Sequence, residues 1–431
     1  MAAQTSQSDF FQELESRGLI HSHSERVRDH LCSGTVTGYI GFDPTASSLH
    51  VGHLLVIMAL ARLQRSGHTA VAVVGGGTGM IGDPSGKTKE RQLLTREDVE
   101  FNVAGIRKQL EAFLDFDGDN PAILVDNYDW LGSLSLIEFM RDIAKHFTVN
   151  YMLAKDSVAR RLEQEDGLSV TEFSYSLLQA FDFLTLYDRF GCTLQIGGSD
   201  QWGNITAGLE LIRRSRGGEA HGIVQPLVTT SSGVKFGKTE DGAVWLDPAR
   251  TSPFRFFQFW VNTDDQDVEG YLKWFTFLPL EEVALIMASH EENRGSRAAQ
   301  RRLGEEVTRL VHGEEGLQRA ERATGVLFGS VPAQELAAED LLDVFSDVPS
   351  SEIARARLES EGVAVLDLLA EAGIAGSKGE ARRLIQGGGV YLNGERIEDV
   401  DLKVNGADAI DGQVLLVRKG KKQNHVVRVT G

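Results

Sequence analysis

Cysteine is nearly absent from this sequence, whose 431 residues include only Cys32 and Cys192. Two cysteines so far apart build neither a disulfide framework nor a four-ligand zinc site, so we expect both to be small buried hydrophobic residues. The sequence also has no run of eighteen apolar residues and no charged-then-apolar signal segment at its start. We therefore expect a cytoplasmic protein without a membrane partner.

Positive charge is scarce as well, since Lys and Arg total 44 against 62 Asp and Glu, which gives a net charge of −18. This balance disfavours non-specific binding of nucleic acid by the whole surface, and DNA is not expected as a partner. Residues 363–431 are the exception, because they hold 10 basic and 9 acidic side chains. A local basic patch is therefore expected in this tail.

Short β-like segments alternate with amphipathic stretches over about residues 34–230. This alternation predicts a doubly wound, parallel α/β sheet of the Rossmann type that binds ligands at the carboxyl ends of its strands. The strand-like segments are residues 35–42, 69–75, 122–126, 194–197 and 223–228. We predict a Rossmann-like domain with a connective insertion (1–252), an α-helical domain (253–345), a linker (346–362) and a small α+β domain (363–431).

Two short signatures carry most of the chemical information. His50-Val51-Gly52-His53 follows the first strand-like segment and opens an apolar-periodic helix, where unpaired N–H groups and the helix dipole favour an anion. Lys235-Phe236-Gly237-Lys238-Thr239 places two ammonium groups on a glycine-containing loop. Taken singly, the histidines fit a helix-capping pair and the lysines a solvated charged loop. Their joint presence favours a polyphosphate site.

The glycine-rich stretch between these signatures imitates two nucleotide-binding motifs. Residues 77–82 spell G-x-G-x-x-G, but the helix and second strand of a dinucleotide fold do not follow. Residues 82–88 resemble a P-loop with three residues instead of four between the glycines. We interpret the stretch as a glycine-hinged carrier of Lys87 and Arg91, which leaves a nucleotide-dependent oxidoreductase as a weak alternative.

Three separated motifs resemble those of a known family. The runs 41–53, 197–204 and 235–239 are similar to the signatures of class I aminoacyl-tRNA synthetases, specifically bacterial-type tyrosyl-tRNA synthetases, and the resemblance covers nearly the whole chain. The third run departs from the family-wide Lys-Met-Ser-Lys-Ser form but keeps both lysines. The resemblance implies that residues 1–252 activate L-tyrosine with ATP, release pyrophosphate, and transfer the tyrosine to the 3′ end of tRNA(Tyr).

This reaction needs positioning and positive charge rather than a protein nucleophile. The resemblance implies that Thr45 and His50 hold the γ-phosphate, His53 meets the ribose, and two mobile loops close on pyrophosphate. It implies as catalytic groups Thr45, His50, His53, Lys87, Arg91, Lys235, Lys238 and Thr239. It implies as ATP-binding groups Gly41, Asp43, Gly52, Gly197, Asp200 and Lys238, with Asp200 on the ribose hydroxyls. Mg²⁺ would arrive with ATP and keep most of its waters, so no protein metal site is expected.

A candidate amino-acid pocket lies on a predicted helix. Tyr175, Gln179 and Asp182 share one helical face at i, i+4 and i+7, which suits a small zwitterion, although such a stripe also occurs on solvated helices. The resemblance implies that Tyr175, Gln179 and Asp83 take the substrate ammonium. It further implies that Tyr39 and Asp182 hydrogen-bond the phenol and that Gln201 lies near the carboxylate.

The tail resembles a small RNA-binding fold shared with a ribosomal small-subunit protein. A helix at 378–386 precedes a Val-Tyr-Leu-Asn-Gly hairpin and a basic end. The basic side chains would meet phosphates rather than bases, whereas the alternative is a plain solvated terminus. The predicted RNA-binding residues are Arg382, Arg383, Arg418, Lys419, Lys421 and Lys422.

Two further alternatives stay open. A tryptophan-specific relative is disfavoured because Tyr39 and Asp182 form a phenol-binding pair and because the RNA-binding tail fits the tyrosyl family. A catalytically silent RNA-binding protein of synthetase ancestry is disfavoured because every motif position is kept. Family members are homodimers through the region after Ala122, and the apolar run 131–147 either serves this contact or packs inside its own chain.

Overall fold

The computed structural model describes residues 9–85, 94–163, 167–231, 236–239, 242–420 and 423–431. These form two compact units, Met1–Thr251 with Phe259–Val311, and Ser252–Gln258 with His312–Gly431. Within the described ranges, no helix has both the length and the apolarity needed to cross a bilayer. The predicted domain boundaries after residues 252, 345 and 362 stay a prediction.

The first unit is built on a twisted sheet whose strands, in chain order, are β1 (Ser22–His23), β2 (Thr37–Phe42), β3 (Thr69–Val74), β4 (Ile123–Asp126), β5 (Cys192–Gly198) and β6 (His221–Gln225). Their spatial order is β1-β6-β5-β2-β3-β4, with β1 antiparallel and the others parallel. The chain first builds outward from β2 and then returns to add β5 on the opposite side. The predicted doubly wound sheet is confirmed, and its direction reverses between β2 and β5, where such folds bind ligands.

Helices cover both faces of this sheet. The helix that the first signature opens is apolar on almost every side and largely buried, with Ile57, Met58 and Leu60 at 0% exposure, as expected for a helix packed between layers. In chain order the helices of this unit are α1 (Phe10–Ser16), α2 (Val27–Cys32), α3 (Leu54–Arg65), α4 (Arg96–Leu110), α5 (Tyr128–Leu131), α6 (Leu136–Glu138), α7 (Val149–Leu153), α8 (Asp156–Leu162), α9 (Val170–Phe190) and α10 (Trp202–Arg216). Next come the short strands β7 (Lys238–Thr239) and β8 (Gly242–Ala243), then α11 (Pro253–Val261), α12 (Val268–Phe275), α13 (Leu280–Glu292) and α14 (Ala298–Phe328). Helices α11 and α14 each contribute residues to both units, and α14 is interrupted at Gly313, where φ is 71°.

Helix α9 carries the predicted pocket residues, and local chemistry fixes both of its ends. The Ser169 side chain accepts a hydrogen bond from the backbone N–H of Glu172 at the start, and Gly191 takes a left-handed conformation with φ 60° at the end. The helix therefore begins and ends at defined residues, which fixes the side of the helix on which each pocket residue lies.

A buried ion pair ties α8 to α9. Arg161 Nη2 lies 2.9 Å from Glu172 Oε2, and both side chains are almost fully buried. We expect Glu172→Gln to lower the free energy of unfolding by about 3 kcal/mol, because the buried guanidinium loses this carboxylate. Urea unfolding measures the change. The exposed pair Arg96–Glu100 is the matched control, where Glu100→Gln should cost less than about 1 kcal/mol. Equal effects of the two substitutions would contradict the prediction.

The second unit combines helices with a small mixed sheet. It comprises α15 (Ala338–Val344), β9 (Ser350–Ala354), α16 (Arg355–Glu359), β10 (Val363–Ala364), α17 (Val365–Glu371), α18 (Lys378–Gln386), β11 (Val390–Leu392), β12 (Glu395–Arg396), β13 (Lys403–Val404), β14 (Val414–Lys419) and β15 (Gln423–Thr430). The main sheet has the order β12-β11-β14-β15-β9. Residues 346–362, predicted as a linker, contribute the edge strand β9, which runs parallel to β15.

The two faces of this small sheet pack into different cores. Leu415, Val417 and Val427 pack with α17 and α18 in one cluster. The alternate residues of the same strands, such as Leu416 and Val426, pack against the helical residues of this unit. That second cluster includes Phe254, Ala323, Val326, Leu341 and Phe345. The helical part and the small sheet of this unit therefore share a hydrophobic core.

Candidate active site

The predicted site residues gather at the carboxyl ends of β2 and β5. Asp43 follows β2, while Asp200 and Gln201 lie in the turn that follows β5. Helix α9 supplies Tyr175, Gln179 and Asp182 from across the crevice. These residues thus lie where the strand order reverses, which is where folds of this kind bind ligands.

The deepest part of the site contains Tyr39 and Asp182, both almost completely buried. Asp182 accepts hydrogen bonds from Asn127 Nδ2 at 2.9 Å and from Trp130 Nε1 at 2.7 Å. The Tyr39 hydroxyl is buried without a hydrogen-bond partner among the described residues. Burial and the nearby Asp182 carboxylate raise the pKa of Tyr39 well above its usual value, so its hydroxyl stays protonated. A hydroxyl on a ligand would satisfy it.

A second polar cluster lies nearer the strand ends. The Tyr175 hydroxyl donates to Asp43 Oδ2 at 3.1 Å, and Gln201 Nε2 donates to Asp83 Oδ2 at 2.8 Å. Gln179 Nε2 reaches Gln201 Oε1 at 3.4 Å. Burial and the two aspartates raise the pKa of Tyr175 well above its usual value, which keeps it a neutral donor. Two carboxylates among neutral donors suit a substrate ammonium.

Burial decides between a pocket and a solvated polar stripe on α9. Tyr175 is 4% exposed and Asp182 is 3% exposed, so neither is a surface residue. The three side chains nevertheless divide: Tyr175 and Gln179 join the cluster of Asp43 and Asp83, and Asp182 joins Asn127 and Trp130. The pocket therefore has two chemically different ends, one that suits a cation (the cation-binding end) and one that suits a hydroxyl (the hydroxyl-binding end).

His50 and His53 form a compact turn at the start of α3. The Gly52 N–H donates to His50 Nδ1 at 3.0 Å, and the His50 N–H donates to His53 Nδ1 at 3.2 Å, with the rings 4.0 Å apart. Because both Nδ1 atoms accept, each neutral ring carries its proton on Nε2. The capping alternative is thus observed, and the phosphate-binding role of the two histidines stays a prediction.

The segment that follows the second signature, residues 244–246, is joined through the backbone to the first signature. The Val51 N–H donates to the Val244 carbonyl and the Leu246 N–H donates to the Leu49 carbonyl, both at 2.9 Å. Gly237 has φ 79°, and a Cβ atom there would lie 2.8 Å from Val51 Cγ2. Glycine is therefore required where the second signature crosses the first.

Phe236 anchors the second signature. Its ring is buried and stacks on Phe275 with centroids 5.2 Å apart and an interplanar angle of 7°. The rings of Phe259, Trp260 and Tyr271 surround it. The aromatic residue that distinguishes this loop from the Lys-Met-Ser-Lys-Ser form thus has a packing role.

Some of the remaining predicted site residues lie in the part of the chain that the structure describes, and the others lie outside it. Gly41 and Thr45 are exposed near the end of β2, Asp200 is exposed in the turn after β5, and Gly52 is exposed in the turn that opens α3. Gly197 is buried against Gln201. The backbone of Lys238 and Thr239 forms β7. Outside the described residues lie Lys87, Arg91, Lys235 and the side chains of Lys238 and Thr239.

Comparison with known proteins agrees with this geometry. The family described as tRNA synthetases class I (W and Y) matches residues 33–329, and the tyrosine--tRNA ligase SYY-like C-terminal domain matches residues 340–427. A tyrosine--tRNA ligase of Roseiflexus castenholzii is 55% identical over 97% of this chain and 98% of its own length. The chain belongs to the tyrosyl-tRNA synthetases.

Other members of the synthetase family agree with this assignment. A tyrosine--tRNA ligase of Anaeromyxobacter dehalogenans is 53% identical over 96% of this chain and 98% of its own. The C-terminally truncated mitochondrial tyrosyl-tRNA synthetase of Aspergillus nidulans has a TM-score of 0.69 at 33% identity, covering 75% of this chain and 96% of its own. A Plasmodium falciparum tryptophanyl-tRNA synthetase, at 15% identity over 77% of this chain and 87% of its own, with a TM-score of 0.51, shares the fold alone.

The synthetase's C-terminal sheet and α18 carry the predicted RNA-binding residues. Arg382 and Arg383 are exposed on α18. Lys419 is engaged within the protein, because its Nζ donates to the Ile374 carbonyl at 2.9 Å and to Glu380 Oε1 at 3.1 Å. Lys421 and Lys422 lie outside the described residues. The exposed arginines of α18 are therefore better placed for phosphate than Lys419.

Two synthetase residues at the hydroxyl-binding end were missed from the sequence. Asn127 directly follows β4, so its position at the carboxyl end of a parallel strand was a usable signal. Its side chain also accepts the Gly77 N–H at 2.7 Å and thereby fixes the glycine-rich turn. Trp130 lies one turn further on, and no local pattern distinguishes it from a core residue.

Proposed function

We propose that this chain is a tyrosine--tRNA ligase that joins L-tyrosine to tRNA(Tyr) at the expense of ATP. The observation that carries the proposal is the buried pair of Tyr39 and Asp182 beneath the carboxylates of Asp43 and Asp83. The pair fits a phenol and the carboxylates fit an ammonium. Relatives named tyrosine--tRNA ligase, 50–55% identical over nearly the whole chain, support the same substrate.

The first step is an in-line displacement at phosphorus. A carboxylate oxygen of tyrosine attacks the α-phosphorus of ATP, the bond to the bridging oxygen breaks, and pyrophosphate leaves with the electron pair. Asp182 accepts the phenol proton in a hydrogen bond, the Tyr39 hydroxyl donates to the phenol oxygen, and the second cluster holds the ammonium. These contacts fix the carboxylate against the phosphorus, which lowers the barrier by positioning.

Charge that grows on the departing phosphates is met by preorganised donors. The N-terminal turn of α3 would offer the Nε2–H groups of His50 and His53, and Thr45 is exposed after β2. Lys87, Arg91, Lys235, Lys238 and Thr239 would complete the phosphate contacts, and Asp200 would bind the ribose. Mg²⁺ enters as part of the Mg–ATP substrate. A ribose hydroxyl of the tRNA then attacks the adenylate carbonyl and releases AMP.

A second copy of the chain is the expected partner for an exposed apolar segment. Ile137, Met140 and Val149 are 56–71% exposed in the region that follows Ala122. Patches of this kind mark protein interfaces, and the tyrosyl family forms homodimers. Sedimentation equilibrium should therefore give twice the chain mass. Because its substrates belong to protein synthesis, the cytoplasm stays the predicted compartment.

ATP–pyrophosphate exchange tests the proposed function directly. We expect exchange with tyrosine and almost none with the other nineteen amino acids. Exchange with tryptophan in place of tyrosine would contradict the pocket assignment. Absence of exchange with every amino acid, together with retained tRNA binding, would instead favour an RNA-binding protein without catalysis.

Asp182 should make tyrosine binding dependent on pH. Burial raises the pKa of this carboxyl to about 7, against the opposing hydrogen bonds from Asn127 and Trp130. The ionised form is the better phenol acceptor, so KM for tyrosine should rise as pH falls below about 7. Exchange kinetics between pH 5.5 and 8.5 measure KM for tyrosine, which should rise by about 10-fold per pH unit at the acid end of this range.

Trp130→Phe provides the matched control for this titration. It removes one donor to the carboxylate while keeping an aromatic ring, so the pKa of Asp182 should rise and the inflection should move to higher pH. A profile that stays flat in the parent chain, or an inflection that does not move in the variant, would show that Asp182 does not titrate in this range.

A further inference from the structure

Four polar side chains form a row across the C-terminal sheet. Tyr391 of β11 is paired in register with Arg396 of β12 on one side and with Arg418 of β14 on the other. Arg418 is in turn paired with Asn424 of β15. Residues in register on neighbouring strands point to the same face, so the four side chains share one surface.

The row lies beyond the part of this face that the helices cover. Two residues along each strand, Leu416 and Val426 are buried against the helical core of the unit. Arg396 is exposed, whereas Tyr391, Arg418 and Asn424 are half-buried. The open end of the face is therefore polar and aromatic, while its covered end is apolar.

The two arginines of the row are held in place without a carboxylate. Arg418 Cζ lies 3.9 Å from the centre of the Tyr391 ring. Arg396 Nη2 lies against Gly388, whose φ of 67° explains glycine at that turn. Among the described residues, no ion pair includes either arginine, in contrast to Lys419, which is paired with Glu380. Neither positive charge is therefore compensated by a carboxylate of the described residues.

We propose that this row binds an unpaired nucleotide of the tRNA by stacking. Aromatic rings and guanidinium planes stack on unpaired bases, whereas the bases of a duplex are not accessible to them. Arg396 then meets the adjoining phosphate and the Asn424 amide offers hydrogen bonds to a base edge. The proposal rests on the proposed function, because tRNA is the nucleic acid that a tyrosine--tRNA ligase binds.

The salt dependence of binding separates stacking from phosphate contacts. Affinity of the full-length protein for a tRNA(Tyr) transcript is measured from 50 to 300 mM KCl. Tyr391→Leu should weaken binding by about 10-fold with the slope of log K against log salt unchanged, because stacking releases no counterions. Tyr391→Phe should bind like the parent. Arg396→Gln should reduce the slope by about 0.7–0.9, as for one phosphate contact.

Arg428 is the matched control for the arginine variants, since it lies exposed on the same face at the far end of β15. Arg428→Gln should leave affinity and slope unchanged. Competition by a 20-base-pair RNA duplex should be equal for the parent and for Tyr391→Leu, because a duplex exposes no base to the ring. Tyrosine-dependent exchange should remain at the parental rate in every variant, which verifies that the catalytic unit is intact.

The outcomes distinguish this inference from the proposed function. If the parent charges tRNA but Tyr391→Leu binds it within 2-fold of the parent, the stacking platform is wrong and the proposed function stands. If Tyr391→Phe loses as much affinity as Tyr391→Leu, the hydroxyl rather than the ring face is responsible, which also overturns stacking. If the parent neither charges nor binds tRNA(Tyr), the proposed function fails first.

Discussion

Phenylalanine should become a substrate when the hydroxyl-binding end of the pocket is changed. In Tyr39→Phe/Asp182→Asn we expect the ratio of kcat/KM for tyrosine over phenylalanine to fall to below about 10². Sites that hydrogen-bond a substrate hydroxyl reject the analogue without it by about 10⁴–10⁵-fold, a range for which tyrosyl-tRNA synthetases are themselves the standard example. The rejection arises because a buried carboxylate and a buried hydroxyl lose their partner when phenylalanine binds.

Exchange kinetics with each amino acid measure this ratio. Gln179→Ala is the matched control, because it changes the cation-binding end of the pocket and should lower kcat/KM for tyrosine and phenylalanine alike. Each single variant at Tyr39 and Asp182 should lie between the parent and the double variant. A ratio that stays at the parental value in the double variant would show that these two residues do not contact the phenol.

Removal of the C-terminal sheet should separate the two steps of the reaction. All predicted ATP and tyrosine groups lie between Tyr39 and Thr239, whereas the basic sheet begins after residue 362. A chain ending at residue 360 should keep tyrosine-dependent exchange. Its kcat/KM for tRNA charging should fall by about 100-fold or more at 150 mM salt, because the phosphate contacts of the tail are lost.

The truncation needs a control, because a chain ending at 360 keeps β9 but loses its partner β15. It also uncovers Leu341 and Phe345 in the shared core of the second unit. Arg382→Gln/Arg383→Gln leaves that core intact and should weaken charging by about 10-fold, with a smaller salt dependence. Full charging by both variants would make the tail a solvated terminus. Loss of exchange on truncation would show that the tail supports the catalytic fold.

The limits of a strand were predictable from the sequence where its buried apolar residues follow one another along the chain. The central strands β2 and β3 lie within two residues of their predicted limits, because strands buried on both faces are continuous apolar runs. The edge strand β4 lies within one residue of its predicted limits. By contrast β9 was predicted as part of a linker. Its sequence, Ser-Ser-Glu-Ile-Ala, carries a single large apolar residue, and its pairing with β15 comes from a partner more than 70 residues away.

The sequence predicted which residues of α9 lie in the pocket, but not that they divide between its two ends. Helical spacing placed Tyr175, Gln179 and Asp182 on one face, yet it could not assign Asp182 to a separate end with Asn127 and Trp130. That assignment depends on β4 ending beside α9, which is a tertiary contact. The pairing of Lys419 with Glu380 was likewise invisible, because the two residues are brought together by the packing of α18 on β14.

The strand order also determines when the site can form while the polypeptide is being synthesised. Strands β2, β3 and β4 are neighbours both in the chain and in the sheet, so a nascent polypeptide can assemble them early. Strand β5 reaches β2 only after the long intervening segment has emerged, and β1 waits for β6, the last strand of the sheet. The crevice at β2 and β5 therefore closes late, and long-range pairing of this kind folds slowly. An unfinished chain that stops before residue 192 contains the first signature but no crevice in which it can act.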